Sequence, residues 1–535
     1  MMNNSDYSRL PFDTDECTSR GACTISPTNA ALQELVMYIL RLCVYYVLRL
    51  EDFNLENNNI TSEIINAISC LVTVNEYGDK QMYELAQRCI HILYNTKGRY
   101  IKACDDSNIT PLIADEDFLP NENSTLTEFI LQGENLRKVK YIKNSNRYLS
   151  EILFIIQKSV CLDLSKLLNF DIFDNKSISI LFNSLNIFNG NDFSNDDINS
   201  FINRLSEIDN QLHIKICEVL SERYGKISKV NVSHSSRKGK CILVSGNDFT
   251  DLINVLEITK DKNIDIYTHS NLLISHAFPK FRQYKNLKGH YGNSSENCIV
   301  DFATFPGAIL LTKNTKNNTE YLYRGKIFSK DYITAQGVTK ITNNDYSELI
   351  EASLSKKGFG KGKILSETVI GYNENEIIKK FSKIKNNAGK ISHIYITGIN
   401  AFSEAQKNYY SLFYKKLKAH EYVLSFYYGE NAQNIIKADI GNYIPLAAGL
   451  LSKILTNSDL KHKITFMFTN CDVNTFSGIV YLYNKGYRNF YMVACPSRIV
   501  NPSVFKTFCE KYDIKIASKP DIDLKNIRKN NPLSE

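Results

Sequence analysis

The sequence predicts a helical N-terminal region followed by two α/β domains with mainly parallel sheets. Three observations carry this expectation. From residue 27 to about 224, apolar residues recur at three- and four-residue steps, as in Ala31, Leu32, Leu35, Val36, Ile39, Leu40 and Cys43. From Cys241, and again from Ile391, short apolar runs ending in glycine or threonine alternate with helical stretches. With 535 residues the chain is too long for one ordinary core, since domains run to roughly 100–200 residues.

The first helix opens at Ser26-Pro27, an N-cap followed by a proline suited to the first turn. Further helical stretches cover 62–72, 80–93, 146–168 and 197–223, separated by Asn- and Asp-rich loops. These read as an all-α helical bundle. The texture changes near Val230. Cys241-Ile242-Leu243-Val244-Ser245-Gly246 reads as a strand, 248–257 as a helix and Ile264-Asp265-Ile266-Tyr267-Thr268 as a second strand. Strand–helix–strand at this spacing is a βαβ unit of a parallel sheet. Ala308 to Leu311 adds another strand. The pattern restarts with Ser392-His393-Ile394-Tyr395-Ile396-Thr397-Gly398 as a strand and 404–417 as a helix. Strands at 422–427 and 464–468, a helix at 475–485 and a closing strand at 489–493 follow. Both α/β parts read as Rossmann-like, with no internal sequence repeat of 20–50 residues between them. The expected domains are 1–226, helical; 227–386, first Rossmann-like; and 387–535, second Rossmann-like. Ligands of such sheets bind beyond the carboxyl ends of strands, here around Gly246, Thr268, Thr312, Gly398, Tyr428 and Thr469.

Composition excludes several function classes. Hydrophobic residues make up 43 % and charged residues 23 %, which excludes a largely disordered chain. The net charge of +7 is spread over a large surface with no organised basic stripe, so no nucleic-acid partner is expected. No uninterrupted apolar run reaches the roughly 18–20 residues of a membrane span. The best candidate, 35–50, contains Arg41 and Arg49 and reads as a buried helix, so no membrane partner is expected. Residues 1–15 are polar and acidic, and a cytoplasmic location is the expectation. The 13 cysteines are scattered singly with no Cys-x2-Cys pair, which argues for free buried thiols rather than a disulfide framework. Lys357-Gly358-Phe359-Gly360-Lys361-Gly362-Lys363 lacks a strand before it and a helix after it, and reads as a flexible surface loop rather than a phosphate cradle. Tyr409-Tyr410 and Tyr427-Tyr428 read as core or interface aromatics. The lysine run from Lys379 to Lys385 reads as a solvated helix face.

At the strand ends the sequence resembles the hybrid cluster protein family, also called prismane proteins or hydroxylamine reductases, which are relatives of carbon monoxide dehydrogenase. The matching segments occur in one order along the chain. They are Cys17-Thr18-Ser19-Arg20-Gly21-Ala22-Cys23 leading into Ala30-Ala31-Leu32-Gln33-Glu34-Leu35, and then Ile242-Leu243-Val244-Ser245-Gly246-Asn247-Asp248. Ile266-Tyr267-Thr268-His269, Asp301-Phe302-Ala303-Thr304-Phe305-Pro306-Gly307-Ala308-Ile309-Leu310 and Tyr323-Arg324-Gly325-Lys326-Ile327-Phe328 follow, with Gly337-Val338, Asp439-Ile440-Gly441 and Ile444-Pro445. The resemblance implies a helical domain and two α/β domains. It also implies a cubane iron–sulfur cluster near the N-terminus and an iron–sulfur–oxygen hybrid cluster between the domains. The hybrid cluster carries the two-electron reduction of hydroxylamine to ammonia and water, with nitric oxide chemistry also proposed.

The ligand pattern departs from the family. Its first cluster uses Cys-x2-Cys-x8-Cys-x5-Cys; Cys17 and Cys23 occupy the last two positions, and Ser5 and Ser8 the first two. In the hybrid-cluster register, histidine becomes Asn247, glutamate Asn271, and three cysteines become Thr315, Ile399 and Tyr428. The Glu-x-Lys pair falls on Asp472 and Asn474, and a further cysteine expected after Ile444-Pro445 does not occur before Cys471. Clusters need soft thiolate ligands, and no cysteine lies between Cys298 and Cys471. By the same register His269, His276 and Asp248 line the inter-domain cavity. His269 and His276, with Asp301 or Asp472, offer fewer than the four converging ligands of a zinc site and read as remnants around the lost cluster.

The leading expectation is a divergent homologue that has lost the hybrid cluster and its reductase activity. It would serve a structural, regulatory or partner-binding role, through an unidentified protein partner or self-association. No cofactor is expected; the alternative is one iron–sulfur cluster at Ser5, Ser8, Cys17 and Cys23. The competing functions are an oxidoreductase on hydroxylamine or nitric oxide with a residual or different metal site, and a small-ligand sensor using the emptied cavity.

Overall fold

Ser26 and Pro27 start the first helix as the sequence suggests. The Ser26 hydroxyl accepts from the Asn29 N–H at 3.0 Å, and Pro27 fills a first-turn position where no N–H is needed. The structure, a computed structural model, describes residues 26–72, 78–143, 147–190, 193–292, 298–313, 325–334, 337–386, 391–399, 404–427, 434–455, 460–469, 472–493 and 502–529. Seven helices come first: α1 (Pro27–Glu51), α2 (Asn58–Cys70), α3 (Asp79–Asp106), α4 (Leu126–Lys143), α5 (Arg147–Leu168), α6 (Asn175–Asn186) and α7 (Asn195–Tyr224). By length and composition α1 could cross a membrane. Here it is a core helix instead, packed against α3, α4 and α6, with Leu32, Leu35, Val36, Ile39 and Val44 shut off from solvent. Ser194 and Asp197 form a reciprocal capping box that fixes the start of α7.

Two six-stranded parallel sheets follow. The first contains β2 (Lys240–Ser245), β3 (Ile264–His269), β4 (Leu287–His290), β5 (Ala308–Leu311), β6 (Ile327–Ser329) and β7 (Thr339–Lys340). It is interleaved with α8 (Phe249–Thr259), α9 (Cys298–Thr304) and α10 (Ser347–Ser355). The second contains β9 (His393–Ile399), β10 (Glu421–Ser425), β11 (Ile435–Lys437), β12 (Ile464–Phe468), β13 (Asn489–Val493) and β14 (Ile514–Ala517). Around it lie α11 (Glu374–Asn386), α12 (Glu404–Tyr414), α13 (Ile444–Ile454), α14 (Val473–Asn484), α15 (Pro502–Lys511) and α16 (Pro520–Lys529). Numbered within each sheet, both have the strand order 3-2-1-4-5-6. That doubly wound order reverses between strands 1 and 4, so each sheet opens a crevice there, at β2/β5 and at β9/β12. An antiparallel ribbon of β1 (Val230–Ser233) and β8 (Glu367–Ile370) pairs the segment before the first sheet with the segment after it.

Alternate residues of the central strands face opposite layers, as a parallel sheet covered on both faces requires. Ile242 and Val244 of β2 join the main core, which continues into the helical part, whereas Cys241 and Leu243 face a separate cluster with Tyr267, Phe302 and Phe305. Tyr395 of β9 similarly turns away from Ile394 and Ile396, toward Tyr409, Tyr410 and Phe413. Tyr409 and Tyr410 are therefore core aromatics, and the Tyr409 hydroxyl donates to Asp523 at 2.7 Å. Cys43, Cys70, Cys89, Cys104, Cys161, Cys241 and Cys509 are buried and in no disulfide.

Several details differ from the sequence reading. The last sheet does not close at β13; β14 adds an edge strand, and β4, β6, β7 and β11 were not anticipated. These strands have two to four residues, too few to display a period of two. The glycine-rich segment is no free loop. Phe359 and Gly239 exchange backbone hydrogen bonds, Ser236 and Lys363 do the same, and the Phe359 ring packs on Tyr267 and Phe305.

Two predictions follow from this packing. A Cβ on Gly133 of α4 would lie 2.1 Å from the Ala31 carbonyl oxygen of α1, whereas Gly98 of α3 has nothing within 4 Å. Gly133→Ala should destabilise by about 1–3 kcal/mol, and Gly98→Ala should stabilise by about 0.5–1 kcal/mol, both read from thermal unfolding. Burial raises the Asp439 carboxyl from 3.8 to about 7, although the Gly441 N–H donates to it. The folded state therefore holds a proton that the unfolded chain releases, so stability should fall as pH rises from about 4 to 7. Asp439→Asn should remove that slope and stabilise the protein at pH 8 by about 2–4 kcal/mol, with little gain at pH 4.

Candidate functional site

The β2/β5 crevice is closed by its own polar groups. The N–H groups of Asn247 and Asp248 donate to Thr312 Oγ1 at 2.9 and 3.2 Å, and Asn271 Nδ2 donates to Asn247 Oδ1 at 2.6 Å. Asp248 caps α8 by accepting from the Asp251 N–H at 2.9 Å, and its other oxygen accepts from Asn169 Nδ2 of the helical part at 2.5 Å. Lys313 in turn donates to Asn169 Oδ1.

The histidines expected at a cavity are occupied inside this sheet. His269 Nδ1 lies 2.8 Å from Ser245 Oγ, and its Nε2 lies 3.3 Å from Asp301 Oδ2. His276 Nε2 and His290 Nδ1 both lie 2.9 Å from Thr268 Oγ1. Burial pushes His276 down to about 4, which favours a neutral ring. His269 therefore meets Asp301, but His276 turns to Thr268. Asp472 belongs to the other sheet, where it caps α14 by accepting from the Thr475 N–H at 2.8 Å. These four residues do not converge on one point.

The β9/β12 crevice is different. Gly398 adopts φ +81°, and a Cβ there would lie 2.9 Å from the Tyr427 backbone, so glycine lets the two strand ends approach. Ile399 follows, buried, with its carbonyl accepting from Thr469 Oγ1 at 3.0 Å. Beyond it lies a cavity of about 430 Å³ between α7, α13 and α14. Its walls are largely apolar, including Ile399, Ala447, Leu451 and Phe468, and Asp209, His213 and Asn474 are among its polar lining residues. His269, His276 and Asp248 are not among the residues that line this cavity. They are drawn to Ser245, Thr268 and Thr312 within the first sheet. Of the register positions, Ile399 and Asn474 reach the cavity, while Asn247 and Asn271 bond to each other. Ser5, Ser8, Cys17, Cys23, Thr315 and Tyr428 lie outside the described residues.

Asp209, His213 and Asn474 belong to a buried cluster that sequence reading missed. Ser159, Asp163 and Lys166 lie at i, i+4 and i+7 on α5, Asp209 and His213 at i and i+4 on α7, and Asn474 and Ser477 at i and i+3 on α14. Each set shares one helix face, and the three helices pack together. Asp163 accepts ion pairs from His213 Nε2 and Lys166 Nζ, each at 2.6 Å. Ser159 Oγ donates to Asp209 Oδ2 at 2.8 Å, and Asn474 Nδ2 donates to Ser159 Oγ at 3.0 Å. Burial alone would raise the Asp163 carboxyl, but His213 and Lys166 hold it down at about 2. Burial opposes charge on His213, and Asp163 overrides it and raises the imidazole above its usual range. Asp209, desolvated and beside the Asp163 charge, is pushed up to about 7. The signal in the sequence was polar residues at helical spacing on otherwise apolar helices. Chemically, the cluster can hold a cation or a shared proton against a cavity wall.

A sequence model described as the Prismane/CO dehydrogenase family matches residues 13–441. The chain belongs to the Prismane/CO dehydrogenase family. The three-part build agrees with the helical and α/β layout that resemblance to this family implied. Among curated relatives, the hydroxylamine reductase of Thermodesulfovibrio yellowstonii is 25 % identical over 541 residues, covering 96 % of this chain and 97 % of that protein. That of Methanocella arvoryzae is 26 % identical over 412 residues, covering 75 % and 74 %. That of Solidesulfovibrio magneticus is 30 % identical over 323 residues, covering 57 % and 60 %. Family membership thus comes with a scaffold match over nearly the full length of the first relative. The side chains at the two crevices remain a question of their own chemistry.

The cluster has an asymmetric response to mutation. Asp163→Asn would leave His213 and Lys166 buried without their carboxylate and should destabilise by about 3–5 kcal/mol. Asp209→Asn replaces a carboxyl already held toward its neutral form and keeps an acceptor for Ser159, so it should cost less than about 1 kcal/mol. Chemical unfolding of the two variants checks this.

Proposed function

We propose that this prismane-family protein carries neither the hybrid cluster nor the two-electron reduction of hydroxylamine, and that it works by binding rather than by redox catalysis. The observation that carries this reading is the hydrogen bond of 2.6 Å between Asn271 and Asn247. Two positions where the family register puts cluster ligands are amides satisfied by each other, with the backbone of Asn247 held by Thr312. In the other crevice Ile399 presents an aliphatic chain, and Asn474 is an amide bonded to Ser159. Neutral amides and an isoleucine do not fit an iron–sulfur cluster, which is held by anionic sulfur. The whole stretch between Cys298 and Cys471 offers no thiolate. A metal site deprived of most of its ligands generally fails to form.

The role left is structural, regulatory or partner-binding, through a protein partner or self-association. A second reading, a small-molecule receptor, is favoured by the cavity of about 430 Å³ that Ile399 and Asn474 line. Its largely apolar walls with a few polar side chains have the form of a ligand pocket.

Iron content, visible absorption and hydroxylamine reduction of anaerobically purified protein test the proposal together. The expected result is no iron, no sulfide-to-iron absorption and no turnover. Several irons per chain with turnover would overturn it. About four irons without turnover would uphold the loss of the reductase and place one electron-transfer cluster on the segment containing Ser5, Ser8, Cys17 and Cys23.

A further inference from the structure

We propose that Asp163, Asp209 and His213 bind one divalent first-row cation, such as zinc, manganese or ferrous iron, at the wall of the cavity between α7 and α14. This goes beyond the binding role proposed above and does not depend on it, because none of the three residues is a position of the family's clusters in the register described.

The geometry comes first. One ligand atom from each residue lies within 4.8 Å of the other two, and all three side chains are buried. Ligands held at about 2.1 Å in a tetrahedral site are about 3.4 Å apart, so a pair at the 4.8 Å limit has about 1.4 Å to close. The carriers are rigid: Asp163 sits on α5, and Asp209 and His213 sit one turn apart on α7.

The second observation points to a ligand. Asp209 is 1 % exposed and lines the cavity, yet its Oδ1 has no hydrogen-bond partner among the described residues. Its Oδ2 is already used by Ser159. Ser477 of α14 is the side chain that faces the same carboxylate. A buried carboxylate oxygen left in this way is costly, and it belongs to a residue that lines the cavity. A cation there would satisfy it.

Charge and donor type narrow the occupant. Lys166 holds Asp163 through Oδ1, whereas His213 meets Asp163 through Oδ2. The cation would take the place of the proton shared between His213 Nε2 and Asp163 Oδ2, and Lys166 would keep its own oxygen. Two carboxylates, one ammonium and a neutral imidazole sum to a charge of −1, which a dication overcomes with one net positive charge. Two carboxylate oxygens and an imidazole, with no sulfur, suit zinc, manganese or ferrous iron rather than copper(I) or an iron–sulfur cluster. The cavity supplies room for water at the remaining coordination positions.

The test uses the full chain, stripped with a chelator and titrated anaerobically with cobalt(II), with zinc(II) in competition. The expected result is one equivalent of cobalt, weak visible d–d bands without an intense thiolate-to-cobalt band, and displacement by zinc. Asp209→Asn should weaken binding at least tenfold, and the double variant Cys17→Ser/Cys23→Ser should bind as the wild type does. If Asp209→Asn fails to fold, His213→Gln takes its place with the same expected loss. The wild-type spectrum needs no variant. The proposal is overturned by absence of saturable binding, by a thiolate band that disappears in the cysteine variant, or by unchanged affinity in a folded Asp209→Asn or His213→Gln protein.

Discussion

The contact on which the polar centre of the molecule depends is the ion cluster of Asp163, His213 and Lys166. Three charged groups have left water, and their desolvation is large on the scale of a protein's net stability. It is tolerable because the carboxylate meets both cations at 2.6 Å. Helices α5 and α7 must then be held close enough for those distances. The same closeness places Asn474 of the last sheet's helix against Ser159 of the helical part. One apolar core runs from α1 into both sheets around this polar centre. The helical part and the last sheet are thus joined by a buried polar network inside a continuous hydrophobic layer, an arrangement that fixes their relative register more sharply than apolar packing alone.

Two sheets with the same strand order offer two crevices, and the chain treats them differently. At β2/β5 small polar side chains bond to one another. Asn271 reaches Asn247, and Asp248 spans to Asn169. At β9/β12 an aliphatic residue, Ile399, stands at the strand end, and the space beyond it stays open as far as Asp209 and His213. The chain carries the two doubly wound sheets and a crevice at each. What the crevices can do is decided by amides, an isoleucine and a carboxylate cluster. The fold alone therefore says little about activity, and the site chemistry says most of it.

Much of the fold was legible because its signals are local. Apolar residues at three- and four-residue steps cannot avoid marking a helix face, and Cys241 to Gly246 or Ser392 to Gly398 mark strands buried on both sides. Short edge strands such as β7 and β14 escaped because sheet hydrogen bonds with a neighbour, rather than their own sequence, make them strands. Phe359 was misjudged for a similar reason: its partner strand segment lies more than a hundred residues earlier, at Gly239.

The candidate site divides in the same way. The sequence by itself determined that no cysteine lies between Cys298 and Cys471, which no folding can change. It also determined the identity of Ile399 and Asn474. Only the tertiary structure decided that Asp163, Asp209, His213 and Asn474 meet, because hydrogen bonds and ion pairs act over a few ångströms while Asn474 is more than 260 residues from His213 along the chain. Local periodicity records which face of each helix is buried, and it holds no record of which other helix that face will meet.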